Sequence, residues 1–96
     1  MTYRLKFIPA AKKEWDKLSE PLKKQFKNKL AERLENPHVP SARLRGYDTV
    51  YKIKLRTAGY RLAYEVIDDD ILIYVLAIGK RDKNMIYKKL ASRIVS

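Results

Sequence analysis

The chain has no cysteine, one histidine, one tryptophan and three glycines among its 96 residues. Without a thiol, a disulfide framework, a cysteine nucleophile and a thiolate zinc site are all excluded. A single histidine excludes the paired-imidazole acid–base arrangement of many ribonucleases. That residue, His38, sits in a proline-bounded loop and reads as an exposed loop residue. Acidic metal clusters are missing too. Asp68, Asp69 and Asp70 are consecutive, so they point in different directions, lack calcium-loop spacing and read as a turn. Ser19, Ser41, Ser92 and Ser96 have no His/Asp partner set. No metal and no cofactor is implied. The longest apolar run, Ile71 to Ile78, is far short of the roughly 20 residues that span a bilayer. Arg4 and Lys6 interrupt the apolar residues of the N-terminus, unlike a signal peptide. The expected setting is the cytoplasm, with no membrane partner.

Positive charge is what the chain has in excess. It carries 22 Lys+Arg against 11 Asp+Glu, a formal net charge of +11. At 46% hydrophobic and 34% charged, the composition is that of a globular chain. The length suits one domain, residues 1–96, burying roughly 65% of its unfolded surface. So much positive charge favours a polyanionic partner, most commonly nucleic acid. An acidic protein or an anionic surface would satisfy the same arithmetic, so the location of the charge decides.

Residues 2–8 alternate, with Tyr3, Leu5 and Phe7 on one face, and predict a half-buried strand. Pro9 suits the first turn of a short helix reaching Trp15 and Leu18. Ser19 is a candidate N-cap and Pro21 a helix start, and Leu22, Phe26, Leu30 and Leu34 supply the apolar stripe of a second helix. Asn36-Pro37 ends it. Two adjacent helices therefore form a hairpin. After a loop from Pro37 to Asp48, Val50 to Arg56 alternates strictly, and Thr57-Ala58-Gly59 turns the chain into a return strand from Tyr60 to Ile67. Ile71 to Ile78 predicts a central strand buried on both faces, broken by Gly79. Asp82 is a candidate cap for a last helix carrying Ile86, Leu90 and Ile94. The order β-α-α-β-β-β-α predicts an α+β domain with the helices on one side of a mainly antiparallel four-stranded sheet.

The charge concentrates on that sheet. Tyr51, Ile53 and Leu55 point to the core, so Lys52, Lys54 and Arg56 form a row on the other face, about 7 Å apart. Leu62, Tyr64 and Val66 belong with the core, which leaves Arg61 and Glu65 on the polar face and requires a one-residue bulge at Gly59. Lys80 and Arg81 follow the buried strand. Singly, each is an ordinary solvated cation, with Glu65 and Asp82 as partial partners. Together, these cations converging on one sheet face suggest an anion site, because a phosphate backbone would relieve their repulsion.

The segment Tyr51-Lys-Ile-Lys-Leu-Arg56, then Gly59-Tyr-Arg-Leu62 and Tyr64, followed by Gly79-Lys-Arg81 and Tyr87, resembles the RelE toxins of bacterial type II toxin–antitoxin systems. Glu14-Trp15, Lys17-Leu18, Asn36-Pro37 and Leu44-Arg45-Gly46 extend the resemblance over the whole chain. It implies an endoribonuclease that cleaves mRNA in the A site of the 70S ribosome, between the second and third codon nucleotides. It also implies a RelB-type antitoxin, autorepression by the pair, and contact with operator DNA only through that complex. The site so implied comprises Lys52, Lys54, Arg61, Arg81 and Tyr87, with Arg45, Arg56 and Lys80 on the RNA backbone. In the family mechanism the 2′-hydroxyl attacks the adjacent phosphate, leaving a 2′,3′-cyclic phosphate and a 5′-hydroxyl. Lys52 and Lys54 would assist proton removal, Arg61 would stabilise the phosphorane, Arg81 would support the leaving oxygen, and Tyr87 would orient the substrate.

A lysine near its ordinary pKa of about 10.4 is protonated at neutral pH and cannot act as a base. Neighbouring cations lower that value, and a bound phosphate raises it again. Guanidinium hardly gives up its proton. Electrostatic stabilisation and alignment are therefore expected to outweigh proton transfer, and cleavage of free RNA to be slow without the ribosome. Two other readings use the same features. A ParE-type toxin shares the fold but poisons DNA gyrase, and such chains lack the Lys/Arg/Tyr set. A non-catalytic RNA-binding module would need only the cation row. Lys23, Lys24, Lys27 and Lys29 form a basic stretch that suits either a solvated helix face or contact with 16S ribosomal RNA.

Overall fold

In the computed structural model, which describes residues 2–81 and 85–93, the element order follows the sequence pattern. Strand β1 (Arg4–Phe7) leads into helix α1 (Pro9–Asp16) and helix α2 (Glu20–Glu35). Pro9 begins α1, where its missing N–H costs nothing. Ser19 is the N-cap residue of α2 through its extended backbone alone, with no side-chain hydrogen bond. Asn36 ends α2 at Pro37, as the stereochemistry before proline requires. A loop with a 3-10 turn at Pro40–Ala42 leads to β2 (Val50–Leu55), β3 (Tyr60–Ile67) and β4 (Leu72–Lys80), and α3 (Met85–Arg93) follows. Asp68–Asp70 form a 3-10 turn, as the consecutive acids imply. Asp82 and Ile94, the expected cap and last apolar residue of α3, lie outside the described residues.

The sheet order is β1-β4-β3-β2, with β1 parallel to β4 and the other pairs antiparallel. Three sequence expectations are corrected. First, Gly79 does not break the central strand: β4 continues to Lys80, with Gly79 opposite Arg61 and Lys80 opposite Tyr60. Second, β2 and β3 pair without a bulge at Gly59, because the four-residue turn Arg56–Gly59, with Gly59 at φ +71°, already sets the register. The irregularity lies between β3 and β4, where Ala63 opposes Ala77 but Tyr64 opposes Val75, so Leu76 is the extra residue. Third, the helices do not share one side.

One face of the sheet packs Ile53, Leu62, Tyr64, Ile73, Val75 and Ile78 against Ala11 and Trp15 of α1 and Phe26 and Leu30 of α2. The aromatic rings of Trp15 and Phe26, with centroids 6.3 Å apart, join the two helices. The opposite face packs Val50, Ala63, Leu76 and Ala77 against Ile86 and Leu90 of α3. A central strand buried on both faces needs a cover on each, and α3 supplies the second. No described helix is long and apolar enough to cross a membrane.

Candidate active site

Directly opposed residues of paired strands share a face. Lys54 opposes Arg61, which opposes Gly79; Lys52 opposes Ala63, which opposes Ala77. Two cross-strand rows therefore run Lys54–Arg61–Gly79 and Lys52–Ala63–Ala77, with Arg56 next along the β2 side. The Leu76 bulge makes this possible. It changes the phase of β4, so that Ile78 enters the core beside Leu62 while Gly79, with no side chain, lies beside Arg61. The small residues of these rows, Ala63, Ala77 and Gly79, lie under α3, while Lys54 at the β2 end is exposed.

Arg81 is fixed at the same end of the sheet, since its backbone N–H donates to Gly59 O at 2.6 Å. Tyr87 is half-buried on α3, beside the second core cluster. Its hydroxyl accepts the Arg45 N–H at 3.3 Å and its ring lies 6.4 Å from that of Tyr47, so it joins α3 to the loop bearing Arg45. Lys80 is not brought to this face. It opposes Tyr60, whose ring packs with the α1–α2 core, and so points to the other side of the sheet.

Two contributors were not picked out from the sequence. Arg33 reaches from α2 to the outer edge of β2, donating Nη1–H to Lys52 O at 3.2 Å and to the Tyr64 hydroxyl at 2.8 Å. With Ser41, Lys52, Lys54 and Arg56 it lines a polar cleft along that edge. The available signal was its place three residues after Leu30, on the buried side of the helix. Tyr47, which supports Tyr87, lies in a loop with no periodicity to reveal it. His38 is exposed, as expected, but engaged: its Nε2 lies 2.8 Å from Asp68 Oδ1 and its Nδ1 3.1 Å from the Tyr51 hydroxyl.

Among the described residues, none of Lys52, Lys54, Arg56 or Arg61 makes an ion pair. Lys52 pulls the Lys54 ammonium below its ordinary pKa, helped by desolvation and by Arg61 and Arg56. Arg61 Nε is buried with no hydrogen-bond partner among the described residues. Leaving such a donor unsatisfied costs about 1–3 kcal/mol. The described residues contain no group of three carboxylate or imidazole side chains able to hold a metal ion. The face can thus bind a phosphodiester and stabilise added negative charge, and it holds one amine shifted toward basic function.

The family model for the ParE toxin of type II toxin–antitoxin systems, parDE, matches residues 5–85. The mRNA interferase toxin RelE of Escherichia coli (strain K12) is 44% identical over 95 residues, covering 99% of this chain and 100% of the relative. A free Escherichia coli RelE carrying two arginine-to-alanine substitutions superposes with a TM-score of 0.90 at 43% identity, over 99% of this chain and 100% of that one. The toxin of the intact Escherichia coli RelBE toxin–antitoxin complex gives 0.81 at 46% identity, over 84% and 99%. This chain belongs to the RelE toxins, within the RelE/ParE toxin family of type II toxin–antitoxin systems.

Proposed function

We propose that this chain is a metal-independent mRNA interferase that cuts mRNA in the ribosomal A site and is neutralised by a RelB-type antitoxin, with which it represses its own operon in the bacterial cytoplasm. The observation that carries this reading is the opposition of Lys54 to Arg61 on a face whose row of cations makes no ion pair among the described residues. The names of the relatives, an mRNA interferase and a toxin crystallised with its antitoxin, support it.

The chemistry follows from the groups. The 2′-hydroxyl attacks the adjacent phosphorus, its proton passing to a base for which Lys54 is the best-tuned candidate. The new O2′–P bond forms as the P–O5′ bond breaks, and the departing O5′ takes up a proton from water. Arg61 meets the charge that grows on the phosphorane, and Arg81 the charge on O5′. Charges fixed before reaction contribute most where they face charge that appears only in the transition state. Tyr87, held by α3 and the Arg45 loop, orients the nucleotide, and Arg45 and Arg56 hold backbone. No group here is a strong acid or base, so the ribosome must supply in-line geometry.

Primer extension on programmed ribosomes tests this. The wild type should cut within the A-site codon only when ribosomes are present, and Arg81→Ala should lose at least about 100-fold in rate while still binding ribosomes. The match to the parDE model favours gyrase poisoning as the second reading. A folded, antitoxin-free wild type that leaves ribosomal mRNA intact but traps gyrase on DNA would replace the first reading with the second.

A further inference from the structure

Strand β1 stops at Phe7, and its last bond to β4 runs from Ile8 N–H to Val75 O at 3.1 Å. Strand β4 continues five residues further, which would leave an open backbone edge beside α1. Side chains fill it instead. Glu14 accepts the Ile78 N–H at 3.1 Å, Lys89 donates to Ile78 O at 2.8 Å, and Arg93 donates to Leu76 O at 2.9 Å. Both cations also pair with the carboxylate: Arg93 reaches both oxygens of Glu14, at 2.8 and 3.3 Å, and Lys89 bonds Glu14 directly. Only about a fifth to a quarter of each side chain remains exposed, so water screens these bonds weakly. Gly79 makes room, since a Cβ there would lie 3.0 Å from Lys89 Nζ and from Met85 Sδ.

Lys89 and Arg93 are four apart and share one face of α3. Gripping both against one carboxylate and two β4 carbonyls fixes the rotation of the helix and its position along the strand. Tyr87, two residues before Lys89, projects about 200° around the helix, toward the Arg45 loop. A nine-residue helix moves as a rod, so an error at the clasp is delivered to Tyr87. We propose that Glu14 is a positioning residue: through Lys89 and Arg93 it sets α3, and through α3 it sets Tyr87 against the loop that bears Arg45. The inference rests on the RNA-cleaving reading and extends it to a residue far from the reacting phosphate.

The test is a double-mutant cycle in single-turnover cleavage on programmed ribosomes. Glu14→Gln keeps the shape and an acceptor for Ile78 N–H but removes the charge. It should lower the maximal rate about tenfold with little change in half-saturating ribosome concentration. In a Tyr87→Ala background the same substitution should cost less than about twofold, because its route of action is already gone. Equal losses in both backgrounds, or no loss in the first, overturn the proposal. A second readout needs no activity. In the free, folded toxin, Glu14→Gln should speed amide exchange across α3 and at Ile78 by about tenfold or more while β2 and β3 stay protected. Unchanged α3 exchange also overturns it. Should the wild type cut nothing while the exchange contrast holds, the RNA-cleaving reading and the positioning role fall together, and the clasp remains only as the anchor of α3.

Discussion

Lys54 carries the one resolved shift among the row cations, and its cause predicts a pH dependence. The charge of Lys52 disfavours protonated Lys54, so the neutral amine appears at a lower pH than in a lone lysine. The cleavage rate of the wild type should rise with pH through the neutral range. Lys52→Ala removes the largest cause of the shift, so the inflection should move to higher pH and the rate near pH 7 should fall. Single-turnover rates across roughly pH 6 to 9 measure this, with about 10.4 as the unshifted limit. A Lys54→Ala enzyme with an unaltered profile would assign the base to another group. The row itself was legible in the sequence because a strand alternates strictly, and cations at every second position must share a face. The contacts that Arg33 and Glu14 make were not legible. Their partners lie 19 to 79 residues away, and no local period encodes such a meeting.

At the scale of elements, the turn after β3 contains a conflict between backbone and side chain. Ile71 adopts φ +50° and ψ +55°, a left-handed conformation that a β-branched residue disfavours by roughly 1–2 kcal/mol. It is half-buried and belongs to neither core cluster. Ile71→Asn should relieve about 1 kcal/mol and raise the thermal midpoint by roughly 4 °C, measurable by calorimetry. A lowered midpoint would show that the side chain contributes more packing than its position suggests. Strand β3 and both ends of α2 were readable because turn residues and proline mark them. The Leu76 bulge was not, because an unbroken apolar run looks the same with or without an extra residue. Gly79 misled for a related reason: glycine signals either a break or a close approach, and here Lys89 and Met85 approach.

Across the whole molecule, two carboxylates fasten distant parts of the chain. Burial alone would raise the pKa of Glu14, but hydrogen bonds from Arg93, Lys89 and the Ile78 N–H, with the charge of Lys89, outweigh it and hold the carboxyl below its ordinary value. Asp68 is lowered by hydrogen bonds from the Tyr3 hydroxyl and from His38. A carboxyl with a depressed folded pKa stabilises fully above its unfolded value, about 4.3 for Glu and 3.9 for Asp, and loses that contribution as pH falls through the folded value. Urea midpoints should therefore hold level above about pH 5 and fall below about pH 4. Glu14→Gln should flatten the acid fall, and an acid limb as steep as wild type would contradict this role. The placement of α3 was implicit in the apolar run of β4, which demands cover on both faces. A reading with all helices on one side contradicted that demand, and the structure resolves it by sending α3 across.

The central claim is that this cationic face cuts RNA by 2′-hydroxyl attack. A ribosome-bound mRNA carrying one 2′-deoxynucleotide at the second A-site position, beside its all-ribo counterpart, tests it most directly. The account predicts that the all-ribo message is cut to a 2′,3′-cyclic phosphate and a 5′-hydroxyl while the deoxy message stays intact. Equal cutting of both would contradict it, because the nucleophile would then not be the 2′-hydroxyl.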